Sequence, residues 1–510
     1  MAAFWNINVS IGETEAADGV VLSHANWQTH RAHFEGHTHL LAFTVPAHEL
    51  PAKQSQALSF SQDDVLPVGL SGCTFQTAES MDEAALTNID GLETLARVAQ
   101  IPVWKGATIH GYATLLVATP PPCMQPDQLL AEVFNGEHFL HGLSVWLFLR
   151  QVSGAQWTPP PPRACLIVDD PNLHGTRYGH LDFRKVVEYS REQNLHMSIA
   201  SIPLDGWWSS PSARRLFQDN PSVLSLTVHG NNHYADELAL PLTADEQCFL
   251  VHQAIERVRH IESASNVPFE RIMVPPHGVC SASMLEQLLH GGFEALTTNR
   301  WSLWKYIAPK LLPADFGFRP ADILGGGLPI LSRFRFNSVI APSEMMMASL
   351  LGQPIIPYGH HGDFKGNMAI FRSTVERLNT LKDIRWMSTA QILSSNFEHR
   401  LDSEVYRLRP YSKDLRFQLP DAAHSFQVEL PLGFKHSRRI SAEWRTSNAS
   451  STLDIQEGEQ YITPKGAEIR IRIHYSSSEF SKHSESALMR PFIRRLLSEL
   501  RDRASRFRLS

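Results

Sequence analysis

The sequence predicts an α/β fold, either a barrel or a doubly wound sheet, between an N-terminal α+β region and a C-terminal β region. A proline run at residues 158–162 cannot continue a helix or a central strand, so it separates the first region from the rest. Over residues 164–382 short apolar runs alternate with amphipathic stretches, which is typical of parallel strands joined by helices. From about residue 404 apolar and polar residues alternate between turn signals, which is typical of a small antiparallel sandwich.

The length of the chain agrees with several domains, since 510 residues exceed the roughly 250–300 residues of one core. We predict an α+β domain at residues 1–157, a β/α domain at 163–395 and a β-sandwich with a last helix at 404–510. Residues 1–157 carry no catalytic motif, and their role is not predicted.

Two predicted helices lie at domain ends. One spans about 125–152, before the proline run. The other spans about 486–505, with leucines on one side and arginines elsewhere. The basic face of this last helix is either solvated or contacts a partner, as basic amphipathic helices do.

Charge and composition exclude some classes of protein. The net charge of −6 gives no overall attraction to nucleic acid. The five cysteines are odd in number and widely spaced, which argues against a disulfide framework or a thiolate metal site. The N-terminus has no signal-peptide pattern, and the longest apolar stretch, 143–149, is far below the roughly 20 residues of a membrane span. We therefore expect a cytoplasmic protein without a transmembrane segment and without a nucleic-acid partner.

A pair of carboxylates follows the first predicted strand of the β/α domain. Asp169 and Asp170 come directly after the apolar run 165–168, and Pro171 ends the strand. Successive strand residues point to opposite sides, so the two carboxylates diverge and suit one metal ligand and one base. The alternative is a capping or turn signal without chemistry.

Two histidines follow a later strand, 224–228. His229 and His233 are four positions apart, a spacing that lets both rings reach one ion. With 25 histidines in the chain, a chance pair is the alternative. One carboxylate with two imidazoles leaves coordination positions open, as a catalytic metal requires.

Other candidates also lie after predicted strands, where both barrels and doubly wound sheets place their sites. His360 and His361 follow the last strand of the domain, and either could be a general acid or both could face solvent. His277, in a proline-rich turn, is a candidate for lining the site. Trp207 and Trp208 follow the second predicted strand and either contact a substrate or pack in the core or at the rim.

The order of these motifs over residues 163–395 resembles the NodB-type polysaccharide deacetylases of carbohydrate esterase family 4. The resemblance implies a deformed seven-stranded β/α barrel, with Asp169 as the general base and with Asp170, His229 and His233 as metal ligands. It implies His360 or His361 as the general acid, and a divalent ion, Zn²⁺ first with Co²⁺, Mn²⁺ or Ni²⁺ as alternatives.

The sequence departs from the family pattern in two motifs. The family places an arginine that holds the base two residues before a proline, where this chain has Met273 and Val274. Arg271, Arg333 and Arg335 are the candidates to replace it. The family's acidic residue with a tryptophan has no clear counterpart, because the segment 299–304 lacks the acid.

The resemblance implies a metal-dependent deacetylase that acts on an N-acetylated carbohydrate. Asp169 would take a proton from water and the histidine would give one to the departing amine. Two other functions remain open: a non-catalytic carbohydrate-binding or assembly protein, suggested by the incomplete motifs, and a cytoplasmic amidase for a small non-sugar amide, suggested by the missing signal peptide.

Overall fold

A computed structural model of the protein describes most of the chain. The described residues are 17–44, 56–62, 66, 70–77, 81–82, 86–120, 139–153, 157–307, 312, 316–336, 342–434, 439–447 and 449–475. The helix expected at 486–505 lies outside these residues, as does the first half of the helix expected at 125–152. The chain divides into two compact units, one of Met1–Trp157 with Leu312–Phe318 and Ile340–Leu351, and one of the remaining residues. The division into three domains at the limits given above stays a prediction.

The first unit is a mixed sheet with helices. Its elements are β1 (Gly19–Ser23), α1 (His24–Phe34), β2 (His39–Phe43), β3 (Gln56–Phe60), β4 (Thr74–Thr77), β5 (Glu93–Val98), β6 (Ile101–Ile109), β7 (Tyr112–Val117) and α2 (Phe139–Val152). The seven strands lie in the order β1-β2-β7-β6-β5-β3-β4. Strands β1, β2 and β7 are parallel and the other pairings are antiparallel. Helix α2 is apolar on most of its surface and is buried over most of its length, as expected of a helix inside a core.

The second unit begins with short strands and helices that alternate. Its strands up to the sandwich are β8 (Arg163–Ala164), β9 (Leu166–Asp169), β10 (Arg177–Tyr178), β11 (Leu181–Asp182), β12 (Met197–Ser201), β13 (Leu224–His229), β14 (Phe269–Val274), β15 (Ala295–Thr298), β16 (Asp322–Leu324), β17 (Leu328–Arg335), β18 (Ile356–His360) and β19 (Arg385–Trp386). The helices are α3 (Phe183–Gln193), α4 (Pro211–Gln218), α5 (Ala244–Ser265), α6 (Ala282–His290), α7 (Arg300–Trp304), α8 (Pro342–Leu350), α9 (Lys365–Leu378) and α10 (Thr389–Ser394), of which α8 belongs to the first unit.

Seven of these strands form a closed parallel barrel. They are paired in the order β15-β14-β13-β12-β9-β18-β17, and β15 pairs with β17 to close the ring. Strand β16 is added antiparallel to β17. The structure therefore confirms the deformed seven-stranded barrel and decides against the doubly wound sheet.

The barrel interior contains an apolar core and is covered at its amino end. Its buried core residues are Cys165, Ile167, Ala200, Ile272, Val274, Ala295, Leu331 and Ile356, together with Ile392 and Leu393 of α10. Thr389 at the start of α10 donates a hydrogen bond to Glu270, near the amino end of β14. Helix α10 thus covers the amino end of the barrel, which leaves the carboxyl end for a site.

The helices around the barrel begin and end at capping residues. The side chain of Asp182 caps α3, and Thr243 with Glu246 forms a capping box at the start of α5. Both helices end at an asparagine in the left-handed region, Asn194 and Asn266, each with φ 51°. These caps satisfy backbone groups at the ends of α3 and α5 and so define where both helices begin and end.

The C-terminal strands form a β-sandwich, as the sequence predicts. They are β20 (Phe397–Asp402), β21 (Val405–Pro410), β22 (Asp414–Gln418), β23 (Ser425–Val428), β24 (Arg439–Arg445), β25 (Ser450–Ile455), β26 (Gln460–Ile462) and β27 (Glu468–His474). One sheet has the order β20-β21-β23-β26 and the other β22-β27-β24-β25. The predicted antiparallel arrangement is wrong at one pair, because β21 and β23 run parallel. The alternation of apolar and polar residues indicates which face of a strand is buried. It does not indicate whether two neighbouring strands run parallel or antiparallel.

No helix among the described residues combines the length and the apolar character that a membrane crossing requires.

Candidate functional site

The registers of the barrel strands bring four polar residues to one place. Asp169, His229 and His360 are the last residues of β9, β13 and β18. His360 is paired directly with Asp169, and His229 with Val274, a residue of the interior core. Residues paired in parallel strands point to the same face, so these side chains enter the carboxyl end of the barrel. Arg333 reaches the same interior from β17, because its partner Ile356 is a core residue.

Asp169 forms a buried ion pair with Arg333. Nη1 of Arg333 lies 2.8 Å from Oδ1 and 2.9 Å from Oδ2 of Asp169. Both side chains are about as buried as core residues, with 3% and 2% of their surface exposed. Burial acts to raise the pKa of Asp169, but the charge and hydrogen bond of Arg333 outweigh it and hold that pKa below its usual value. Asp169 is therefore a carboxylate at neutral pH.

The structure distinguishes the three candidate arginines. The guanidinium of Arg333, besides its pair with Asp169, lies 3.9 Å from the ring centre of Tyr358, where a cation–π contact adds to its positioning. Arg271 is paired with Glu262 at 2.6 Å, away from the carboxyl end of β14. Arg335 lies 6.0 Å from the ring centre of Tyr358. Arg333 is the one of the three that contacts Asp169.

Asp170 turns away from Asp169 and towards the two histidines. Its φ of 86° lies in the left-handed region, directly after the strand ends. Its Oδ1 lies 3.5 Å from Nε2 of His229 and 3.1 Å from Nε2 of His233. Ligand atoms of the three residues all lie within 4.8 Å of one another. The adjacent carboxylates thus face different groups.

The hydrogen bonds of His229 determine which nitrogen is available. Its Nδ1 donates to the carbonyl oxygen of Val274 at 2.8 Å, so a neutral ring directs the lone pair of Nε2 towards Asp170. Burial acts to raise the pKa of Asp170, but when Nε2 of each ring carries a proton, hydrogen bonds and charge from His229 and His233 hold that pKa well below its usual value. When both rings are neutral, their lone pairs and the carboxylate repel one another unless a cation lies between them. One oxygen and two nitrogens at this separation fit a divalent cation.

The two neighbouring histidines after β18 lie in different surroundings. His360 is next to Asp169 across the pair of strands, and its backbone N–H donates to Oδ2 of Asp363 at 2.9 Å. The ring of His361 lies 5.6 Å from that of Tyr178 and 5.9 Å from that of His180. His360 therefore faces the carboxylate, whereas His361 contacts the segment around β10.

The predicted substrate-contacting residues lie at the open end of the barrel. His277 is 52% exposed, its ring centre is 6.0 Å from that of His233, and its Nδ1 is 3.7 Å from Asp236. Trp207 and Trp208 follow the carboxyl end of β12 and are 57% and 48% exposed. The ring of His174 contacts both, at 4.7 and 5.8 Å between ring centres.

Two residues of the site, the partly buried Tyr358 and the buried Glu237, have no motif in the sequence. Tyr358 packs on Arg333, and Glu237 accepts hydrogen bonds from the loop between the two histidines. Tyr358 lies two residues before His360 on β18, so strand alternation from His360 would have placed it on the interior face. Nothing local marks Glu237, because its role depends on how the chain folds back after His233.

No protein-family model and no curated protein matches this sequence. Solved structures do show similarity. A polysaccharide deacetylase of Mycobacterium smegmatis is 13% identical, with a TM-score of 0.32, over 46% of this chain and 93% of that one. A family 4 carbohydrate esterase from Streptomyces lividans, in complex with acetate, is 12% identical, with a TM-score of 0.27, over 45% of this chain and 93% of that one.

A 4-α-glucanotransferase from Thermococcus litoralis is 10% identical, with a TM-score of 0.32, over 46% of this chain and 40% of that one. The solved structures to which this chain is similar thus include members of carbohydrate esterase family 4, the family that its sequence motifs resemble.

Proposed function

We propose that this protein is a metal-dependent hydrolase of amide bonds that removes acetyl groups from an N-acetylated carbohydrate. One observation carries the proposal: two adjacent carboxylates face different partners. Asp169 is paired with Arg333, whereas Asp170 faces His229 and His233. A carboxylate for proton transfer therefore stands next to a donor set for a cation, which is the division of labour that metal-assisted hydrolysis requires.

Asp170, His229 and His233 are the residues that would hold the ion, which we propose to be Zn²⁺. Two imidazoles and one carboxylate are a frequent zinc set and leave positions open for water and substrate. When bound, such an ion supplies Lewis-acid chemistry, which makes water more acidic and polarises the amide carbonyl.

Asp169 is the proposed general base. Arg333 keeps it ionised and restricts its orientation through the two contacts to its oxygens. It accepts a proton from the attacking water. The buried arginine also removes the cost of a lone carboxylate inside the barrel.

His360 is the proposed general acid. It belongs to the strand next to that of Asp169 and is paired with it, so a substrate amide between them has a proton acceptor on one side and a donor on the other. His360 gives its proton to the departing amine nitrogen. His361 is the weaker candidate, because its ring contacts Tyr178 and His180.

The exposed aromatic side chains favour a carbohydrate over a small amide. Trp207 and Trp208 offer apolar faces at the open end of the barrel, and sugar rings stack on such faces. His277 is exposed beside His233 and is placed to contact the same substrate.

A reducing compartment, the cytoplasm, is also part of the proposal. None of the four cysteines among the described residues forms a disulfide, and a reducing compartment keeps thiols in that state.

The test is acetate release from N-acetylated oligosaccharides by the purified chain. We expect Asp169→Asn to abolish release and to retain the bound metal. The matched control is Asp219→Asn, an exposed carboxylate at the end of α4, which should release acetate at the wild-type rate. Release by Asp169→Asn at the wild-type rate would contradict the proposal. A wild-type protein that binds metal and cleaves no amide would instead support the non-catalytic alternative.

A further inference from the structure

The loop between His229 and His233 converges on one buried carboxylate. The backbone N–H groups of Asn231 and Asn232 donate to Glu237 at 2.8 Å each, and that of His233 donates at 3.2 Å. Glu237 is fully buried. Three successive amides that point at one carboxylate fix the course of the backbone between the two histidines.

The start of the loop leaves room for no side chain. Gly230 has φ +64°, and a Cβ on it would lie 2.5 Å from Oε2 of Glu237 and 2.5 Å from Cγ of Pro276. A side-chain hydroxyl or amide at position 230 therefore cannot accept the hydrogen bonds that the backbone N–H groups of the loop donate. The carboxylate of Glu237 occupies the space against the glycine and accepts them instead.

Helix α5 holds the same loop from the other side. Nη1 of Arg257 lies 2.6 Å from Oδ1 of Asn231 and 2.9 Å from Oδ1 of Asn232. Nδ2 of Asn231 donates to Oε1 of Gln253 at 2.8 Å. Burial lowers the pKa of Arg257 to about 10, against an opposing effect of the negative charge of Glu237. The arginine stays charged at neutral pH and compensates the buried carboxylate.

We infer that Glu237 is the positioning residue of His233, and that Arg257 supports it. The amides that Glu237 accepts include that of His233, whose φ of 59° is left-handed. This conformation directs Nε2 of His233 to within 3.1 Å of Asp170. The inference rests on the proposed metal site, but it concerns the geometry of the loop and is measurable without substrate.

Two measurements on the full chain test it. The first is titration of the metal-free protein with Zn²⁺, where we expect Glu237→Gln to weaken binding by about 10–100-fold, the usual range for residues that orient a ligand. The matched control is Glu256→Gln, an exposed residue of α5 paired with Arg259, which should bind Zn²⁺ as the wild type does. The second is hydrogen exchange in the metal-free state, where Glu237→Gln should accelerate exchange at Asn231, Asn232 and His233.

A Co²⁺ spectrum separates positioning from a general loss of stability. At saturating Co²⁺ the Glu237→Gln protein should show altered visible absorption bands, because the imidazole of His233 is no longer held in the same orientation. A folded variant with wild-type affinity, exchange and spectrum would overturn the inference.

A second variant covers the case in which Glu237→Gln does not fold. Arg257→Lys removes the contacts to the two asparagines and keeps the charge, and it should weaken Zn²⁺ binding by a smaller factor. Wild-type affinity in Arg257→Lys would then overturn the inference. Absence of Zn²⁺ binding in the wild type would overturn the metal site itself, whereas wild-type binding with unchanged variants overturns only the role of Glu237.

Discussion

Arg333 and Asp169 form an ion pair although a third strand lies between the strands that carry them. Arg333 lies on β17 and Asp169 on β9, with β18 between, yet one guanidinium nitrogen contacts both oxygens of the carboxylate at 2.8 and 2.9 Å. The contact runs through the barrel interior over Tyr358 of the intervening strand. This pair keeps Asp169 apart from the donor set of Asp170 and holds it ionised, as the proposed general base must be.

Loss of Arg333 should strongly destabilise the protein. Arg333→Ala leaves a carboxylate buried without its partner, and we expect the free energy of unfolding to fall by about 3–5 kcal/mol. Acetate release should also be lost, because Asp169 is no longer held. Urea denaturation of the metal-free protein measures the first effect.

The control for this prediction is Arg335→Ala, on the same strand but exposed. It should change the free energy of unfolding by less than about 0.5 kcal/mol. If Arg333→Ala and Arg335→Ala lowered the free energy of unfolding equally, the ion pair with Asp169 would not contribute to stability.

His196 should make stability depend on pH. Burial lowers its pKa to about 4, while its Nδ1 donates to the carbonyl of Ser222 at 2.9 Å and its Nε2 accepts from Ser225 at 3.0 Å. The folded pKa lies below the unfolded value of 6.5, so the unfolded chain binds the proton more readily. This contribution, about 3 kcal/mol, is present above pH 6.5 and is lost as the pH falls towards 4.

The measurement is the free energy of unfolding from urea titrations between pH 7 and about 4. His196→Gln should reduce the loss of stability over this interval, whereas His260→Gln, an exposed residue at α5, should leave it unchanged. An identical pH profile in wild type and His196→Gln would show that His196 is not buried in its neutral form.

Gly230→Ala should lower the free energy of unfolding by more than the backbone strain of an alanine with positive φ alone explains. The new Cβ would meet Glu237 and Pro276 at 2.5 Å, in a residue with φ +64°. The matched control is Gly292→Ala, with φ +92° and nothing within 4 Å of the Cβ. We expect the control to cost about 1 kcal/mol of stability and Gly230→Ala to cost more.

Zinc titration completes this comparison. Gly230→Ala should also weaken Zn²⁺ binding, because the clash displaces the loop that carries His233, whereas Gly292→Ala should not. Equal stability and equal affinity in the two variants would mean that the contact between Gly230 and Glu237 has no consequence for the site.

Replacement of Trp207 or Trp208 should weaken substrate binding and leave the affinity for Zn²⁺ unchanged. Replacement of either by alanine removes an exposed ring, so the KM for an N-acetylated oligosaccharide should rise about two- to tenfold, which corresponds to about 0.5–1.5 kcal/mol. Ile370→Ala, an exposed apolar residue of α9, is the control. An unchanged KM in both tryptophan variants would show that these two side chains do not contribute to substrate binding.

Local motifs predicted that Asp170, His229 and His233 come together, because these motifs follow strand ends. Asp169, Asp170, His229 and His233 each follow an apolar strand, and the carboxyl ends of parallel strands meet at one end of a barrel. The two carboxylates diverge as predicted, but the cause is the left-handed backbone of Asp170 after the strand and not strand alternation. The closed barrel agreed with the alternation of strands and helices.

Contacts between residues far apart in the sequence could not be predicted from the sequence pattern. Arg333 could not be chosen from three arginines, since its contact to Asp169 depends on how two non-neighbouring strands are staggered around the barrel. Glu237 is recognised only when the chain folds back onto its own loop. Helix α8 belongs to the first unit although its sequence lies among the barrel elements, and apolar periodicity does not reveal which core a helix joins.

The central claim is that Asp170, His229 and His233 hold one divalent ion. Its most direct test is the Zn²⁺ stoichiometry and affinity of the purified metal-free chain, measured by calorimetry for the wild type, Asp170→Asn, His229→Ala and the control His260→Gln. We predict one ion per chain in the wild type and the control, and loss of tight binding in the other two variants. No bound ion in the wild type, or wild-type affinity in both Asp170→Asn and His229→Ala, would contradict the account.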